Sequence, residues 1–133
     1  MTERAPLCTL CGTVTHGRGL GNKVGMPTAN LLVDEGQILP PLGVYATRVR
    51  HGGMAYIGVT NVGQRPSVDN DQDITVETFL LDFQGDLYHE EITVEFFARL
   101  RDIRVFPSLE AVRDQVFADA KAAEALFRRE ERL

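Results

Sequence analysis

The chain has 133 residues, 44% of them hydrophobic and 25% charged, and a formal net charge of −5. That length and balance suit one domain around one core, and no run of about 18 apolar residues is present to cross a bilayer. The acidic excess and scattered basic residues speak against a broad nucleic-acid surface. The start, Met1-Thr2-Glu3-Arg4-Ala5-Pro6, has no signal-peptide core, so a cytoplasmic protein is expected.

The first predicted element is a strand over Thr9–Thr15, which sets Cys8 and Cys11 in a lone C-x-x-C. Structural zinc needs four ligands, and His16, His51 and His89 lie far apart in sequence. A redox motif of this kind should open a helix rather than a strand. Two reduced thiols in a strand is the reading that fits. A glycine cluster follows at Gly17, Gly19 and Gly21, and then Gly25-Met26-Pro27-Thr28-Ala29-Asn30-Leu31. Glycines let a backbone approach a bulky anion. A neutral Thr and Asn fixed behind a proline can hold a hydrated metal or a phosphate oxygen. Neither G-x-x-x-x-G-K-[ST] nor G-x-G-x-x-G can be drawn, so any nucleotide would be held by a less common loop.

Further strands are predicted over Gly43–Arg50, Met54–Val59, Ile74–Phe83 and Glu91–Leu100, with tight turns at His51-Gly52-Gly53 and Gln84-Gly85-Asp86. Short strands with such turns favour a closed or nearly closed antiparallel barrel. The acidic loop holding Asp69, Asn70, Asp71 and Asp73 lacks the spacing and closing Glu of an EF-hand and reads as solvated. Strand alternation places Thr75, Glu77, Phe79, Leu81 and Phe83 on one face, which sets Glu77 among aromatic neighbours. Two roles stay open for it. Partial desolvation there would raise its pKa towards the range of a general base, or it pairs with an Arg or meets water at a barrel mouth. In the last strand Ile92, Val94, Phe96, Ala98 and Leu100 share a face, and Glu95 lies beside Arg99 on the other, a simple charge pair.

The tail changes period. Ser108 is a plausible N-cap, Glu110 suits the first turn, and Leu109, Val112, Val116, Ala120, Ala123 and Phe127 recur at helical spacing. A helix over about 108–129 is predicted to lie across the barrel with this stripe inward, with Arg128 and Arg129 at its C-terminal end.

Several segments in register resemble one family. They are Gly25-Met26-Pro27-Thr28-Ala29-Asn30, Gly43-Val44-Tyr45, Asn61-Val62-Gly63-Gln64-Arg65-Pro66-Ser67, Val76-Glu77-Thr78-Phe79-Leu80-Leu81-Asp82-Phe83, Gly85-Asp86-Leu87-Tyr88 and Leu100-Arg101. Together they resemble riboflavin kinase, the kinase module of bacterial bifunctional riboflavin kinase/FAD synthetases, over nearly the whole chain. Departures are Lys23 near a usual Arg, Met26 for Phe, Ser67 for Thr, Phe79 for His and His89 for Gly.

The resemblance implies a mainly β protein, a six-stranded antiparallel Greek-key barrel over about residues 8–105 with a C-terminal α-helix, forming one domain over 1–133. It implies transfer of the ATP γ-phosphoryl group to the riboflavin 5′-hydroxyl, giving FMN and ADP. Thr28 and Asn30 would hold Mg²⁺ and phosphates, and Glu77 would be the base. Gly17, Gly19, Gly21, Lys23, Gly25 and Pro27 would belong to a flap over the nucleotide. Met1 stands only about ten residues before the first strand, so no adenylyltransferase module is expected and the product should be FMN rather than FAD. The expected partners are riboflavin and ATP, with no nucleic acid or membrane, and the expected state is a monomer. The alternative is a non-catalytic flavin- or nucleotide-binding sensor. An RNA-binding barrel would need a basic face with exposed aromatics, against which the acidic balance weighs.

Overall fold

The computed structural model describes residues 5–15, 28–66, 72–83 and 85–131. Six antiparallel strands, β1 (Cys8–Thr15), β2 (Thr28–Val33), β3 (Gly43–His51), β4 (Met54–Pro66), β5 (Gln72–Leu80) and β6 (Glu91–Arg101), close into a barrel in the order β1-β2-β5-β4-β3-β6. Consecutive β3, β4 and β5 with β6 returning beside β3 is the Greek-key arrangement. The C-terminal helix, α1 (Leu109–Glu131), packs on the outside.

The turn at Gly52 and Gly53 is as expected. Their φ angles of 55° and 84° are those of a two-residue hairpin, and they lie between His51 and Met54, which face each other across the pair. The segment around Gly85 and Asp86 is not such a turn. β5 pairs with β2 and β4 whereas β6 pairs with β1 and β3, so this connection crosses between non-adjacent strands; Gln84 lies outside the described residues. Within it His89 adopts a φ of 71°, the left-handed region that glycine prefers, at the position where the resembled family has Gly.

Alternation sorts side chains into two cores. Inside the barrel Leu10, Val49, Val62, Val94 and Phe96 are fully or almost fully buried. Outside it, Val44, Ala46, Val59 and Phe79 meet Val116, Ala120 and Ala123 of α1. The predicted helical stripe therefore faces the barrel, except that Leu109 is 45% exposed at the first turn. Ser108 caps the helix as expected, its Oγ accepting from Ala111 N at 3.1 Å.

Three further expectations about faces need correction. β5 ends at Leu80, so Phe83 leaves the outer face and packs with Tyr56 on the inner core. In β6 a bulge sets Ala98 opposite Ala46 but Phe96 opposite Thr47, which moves Ala98 and Leu100 to the helix side. Glu95 pairs not with Arg99 but with Arg48 and Arg50 of β3, each Nε donating at 2.8 Å to Oε1. Arg99 instead reaches Asp102 at 2.7 Å.

Burial alone would push the Glu95 carboxyl up, but the bonds and charges of Arg48 and Arg50 outweigh it and hold its pKa below the ordinary value. A depressed carboxyl pKa stabilises the fold above its unfolded value and loses that contribution as pH falls through the folded one. Glu95→Gln should therefore flatten the fall of stability on acidification below about pH 4.5, as read by urea melts at several pH values.

A polar ladder runs through the barrel interior: Thr60 Oγ1 lies 2.9 Å from Thr47 Oγ1 and 2.8 Å from Thr78 Oγ1, all three residues being almost fully buried. Thr60→Val keeps the shape but strands two hydroxyls, and should cost about 1–3 kcal/mol in denaturant melts. The two cysteines point to opposite faces of β1. Cys8 packs towards the inner core, where burial pushes its thiol up, while Cys11 is exposed. They are free thiols, as predicted.

Candidate active site

The strand that composition and turns did not reveal, β2, is the one that carries the Thr-Ala-Asn motif. Ala29 and Leu31 fill the inner core, so Thr28 and Asn30 lie on the outer wall, both half-buried. Register then lines up one row across the sheet. Thr15 faces Asn30, Asn30 faces Glu77, Glu77 faces Asn61, Asn61 faces Val44 and Val44 faces Arg101. Directly opposed residues present their side chains on one face, with Cβ atoms about 4.5–5.5 Å apart. Residues 15, 30, 77, 61, 44 and 101, remote in sequence, thus follow one another along a single row.

Glu77 opens onto a cleft of about 200 Å³ between this outer wall and α1. Its floor is Val44, Val59, Asn61 and Phe79; its far wall is Ile103, Arg104, Phe106 and Arg101, closed by Val112, Val116 and Asp119 of the helix. Arg101 and Asp119 fix that wall. Arg101 Nε donates to Asp119 Oδ1 at 3.0 Å and Nη2 to Oδ2 at 2.8 Å, and Gln115 Nε2 donates to Oδ1 at 3.0 Å. The guanidiniums of Arg101 and Arg104 stand 5.6 and 5.5 Å from the Phe106 ring centroid. Asn61 Oδ1 is buried in the same cleft with no hydrogen-bond partner among the described residues.

Thr28, Asn30 and Glu77 therefore come together. Gly17, Gly19, Gly21, Lys23, Gly25 and Pro27 lie outside the described residues, as does most of the acidic loop at 69–71. Sequence reasoning did not single out Asn61, Arg101 or Asp119 as site residues. An Asn on the outer face of a long strand between Val59 and Gly63 was the available signal for the first; a pair 18 residues apart gave none for the others.

The cleft is lined mostly by apolar side chains, with Glu77 among its polar groups and Thr28 and Asn30 on the neighbouring strand. The family model for flavokinase, riboflavin kinase, matches residues 6–127. The chain belongs to the riboflavin kinase family. It is 42% identical over 117 residues to the bifunctional riboflavin kinase/FMN adenylyltransferase of Pseudomonas fluorescens, covering 88% of this chain and 37% of that protein. It is 36% identical over 118 residues to the RNA-binding riboflavin kinase RibR of Bacillus subtilis, covering 89% of this chain and 50% of that one. A Streptococcus pneumoniae crystal structure described as a macrolide-efflux protein shares the fold with a TM-score of 0.83 and 32% identity, over 90% of this chain and 39% of that one. The riboflavin kinase of Trypanosoma brucei matches with a TM-score of 0.64 and 25% identity, over 90% and 79%. The chain thus spans little more than a third of the length of the bifunctional relative.

Proposed function

We propose that this riboflavin kinase family member transfers the γ-phosphoryl group of ATP to the 5′-hydroxyl of riboflavin, yielding FMN and ADP, and that residues 1–133 act as one kinase domain. The observation that carries this reading is the row Asn30–Glu77–Asn61, with Glu77 opening onto the cleft under α1. The apolar cleft would take the flavin ring. Glu77 would orient the terminal hydroxyl and accept its proton as the oxygen bonds to phosphorus and the bond to the ADP oxygen breaks. Phosphoryl transfer has a loose transition state, so the carboxylate must position the alcohol more than act as a strong base.

Thr28 and Asn30 offer neutral oxygens one strand from Glu77, and among the described residues no group of three His, Cys, Asp or Glu stands ready to hold a metal. Mg²⁺ favours oxygen ligands and is usually bound through substrate phosphates with retained waters, so these residues fit a metal arriving with the nucleotide. When bound, Mg²⁺ would neutralise phosphate charge. The flap glycines Gly17, Gly19, Gly21 and Gly25, with Lys23 and Pro27, are assigned to the phosphates on the family resemblance.

Among the described residues no helix is long and apolar enough to cross a membrane. A cytoplasmic monomer without a nucleic-acid partner is the reading we adopt. It is supported by the net charge of −5 and by Arg48, Arg50, Arg99 and Arg101 each being tied to a carboxylate.

The test is purified protein with riboflavin, ATP and Mg²⁺, with flavins separated by chromatography. FMN is expected only when nucleotide and metal are both present. Flavin bound without turnover would assign the chain to a non-catalytic sensor, and no flavin binding would remove the reading. In the same assay Thr28→Ala should raise the Mg²⁺ concentration for half-maximal rate by about tenfold or more, the scale of a lost contact to a charged group. An unchanged metal requirement would take Thr28 out of the site.

A further inference from the structure

Two features of β4 are left unexplained by the fold. The first is Asn61 Oδ1, an acceptor buried in the cleft with no partner among the described residues. A buried oxygen left unbonded has given up its hydration for nothing in return, so it is expected to meet a donor in some working state. The second is Gly63, two residues further along the same outer face and directly opposite Thr75. A glycine inside a strand weakens it and often marks close approach of a ligand. Here the backbone does not demand one. Gly63 is outside the left-handed region, and a Cβ built on it would meet Thr75 Oγ1 at 3.4 Å, Ile103 Cδ1 at 3.6 Å and Asn61 Oδ1 at 3.9 Å, all ordinary contacts. Gly12 and Gly58 differ, because a Cβ there would collide with the Leu32 carbonyl or with Thr47 and Thr78. Packing therefore does not require a glycine at 63, but the position is buried and lies outside the cleft lining, beside Asn61.

We infer that Asn61 seats the substrate's ribityl chain, its Oδ1 accepting a hydrogen bond from the 4′-hydroxyl next to the one phosphorylated. This rests on the kinase reading above. A polyol places hydroxyls on successive carbons, and successive acceptors are what this wall supplies. Glu77 takes the terminal hydroxyl, and its cross-strand neighbour Asn61 stands on the side towards Val44 and the apolar cleft. The row then follows the substrate from phosphates at β2, through the reacting alcohol at β5 and the polyol at β4, to the ring under α1. Asn61 would thus be a specificity residue, selecting a polyol over a plain alkyl alcohol.

The experiment measures FMN-type product from riboflavin and from 4′-deoxyriboflavin with wild type, Asn61→Ala and Gly63→Ala. Wild type should prefer riboflavin by about tenfold in kcat/KM, and Asn61→Ala should reduce that preference to about twofold or less. Gly63→Ala, whose added Cβ makes only ordinary contacts outside the cleft, should keep the wild-type melting temperature, KM and preference. Equal preference in wild type and Asn61→Ala, or no preference in wild type, overturns the seat while leaving the kinase intact. Failure of wild type to phosphorylate riboflavin at all overturns the kinase reading and the seat with it. If Asn61→Ala does not fold, the preference of Asn61→Val against that of wild type decides.

Discussion

Glu77→Gln is expected to lower kcat for FMN formation by about 10²–10⁴-fold while the protein remains folded. Glutamine matches the size and shape of glutamate and can still bond to a hydroxyl, but it cannot take its proton. Glu77 is half-buried on the outer wall rather than in either apolar core, so the exchange should leave the fold intact. The apolar cleft is untouched, so KM for riboflavin should hold and kcat and kcat/KM should fall together, the mark of an interaction made in the transition state. Glu77→Asp separates positioning from basicity. It keeps the charge but withdraws it by one methylene, and an intermediate loss of rate would show that reach matters. Steady-state kinetics with a thermal melt of each variant checks both. Near-normal turnover in Glu77→Gln would remove the carboxylate from proton transfer and leave the cleft as a binding site.

The sequence made the helix legible, because Val112, Val116, Ala120 and Ala123 repeat at one period and Ser108 caps the start. It made β3 and its hairpin legible through Gly52 and Gly53, whose positive φ angles the turn requires. β2 was hidden by its own motif, since a six-residue strand preceded by glycines and a proline reads as a loop. The faces of β6 were misjudged because a bulge shifts register without any change of composition, so Ala98 and Leu100 still look like a continuation of Phe96. Thr28, Asn30 and Glu77 could be named through family motifs. That they are neighbours follows only from strand order, with β2 beside β5 rather than beside β3. Asn61 opens one of the family segments, but its place in the site stayed hidden for the same reason. Its importance lies in which residue it faces, and cross-strand register is not written in local pattern.

The Arg101–Asp119 pair carries the second large expectation. Asp119→Ala should destabilise the protein by about 2–4 kcal/mol, since removing one partner of a buried pair strands the other charge. The lower part of that scale applies because the Arg101 side chain is 20% exposed and can turn partly to water, whereas that of Asp119 is 6% exposed. For a chain of this size the melting temperature should drop by about 10 °C. The loss should reach function as well. Asp119 ties the middle of α1 to the end of β6, and both line the cleft into which Glu77 opens. Flavin affinity should therefore weaken even at temperatures where the variant is fully folded. Arg101→Ala with Asp119→Ala removes both charges at once, and the pair should cost less than the sum of the single changes by about 1–3 kcal/mol. A double-mutant cycle by denaturant melts, with flavin titrations on the same four proteins, reads both effects. Strict additivity in stability would mean that the helix is held by its apolar face alone, on Val116, Ala120 and Ala123. Unchanged flavin affinity would mean that the cleft keeps its shape without the tie.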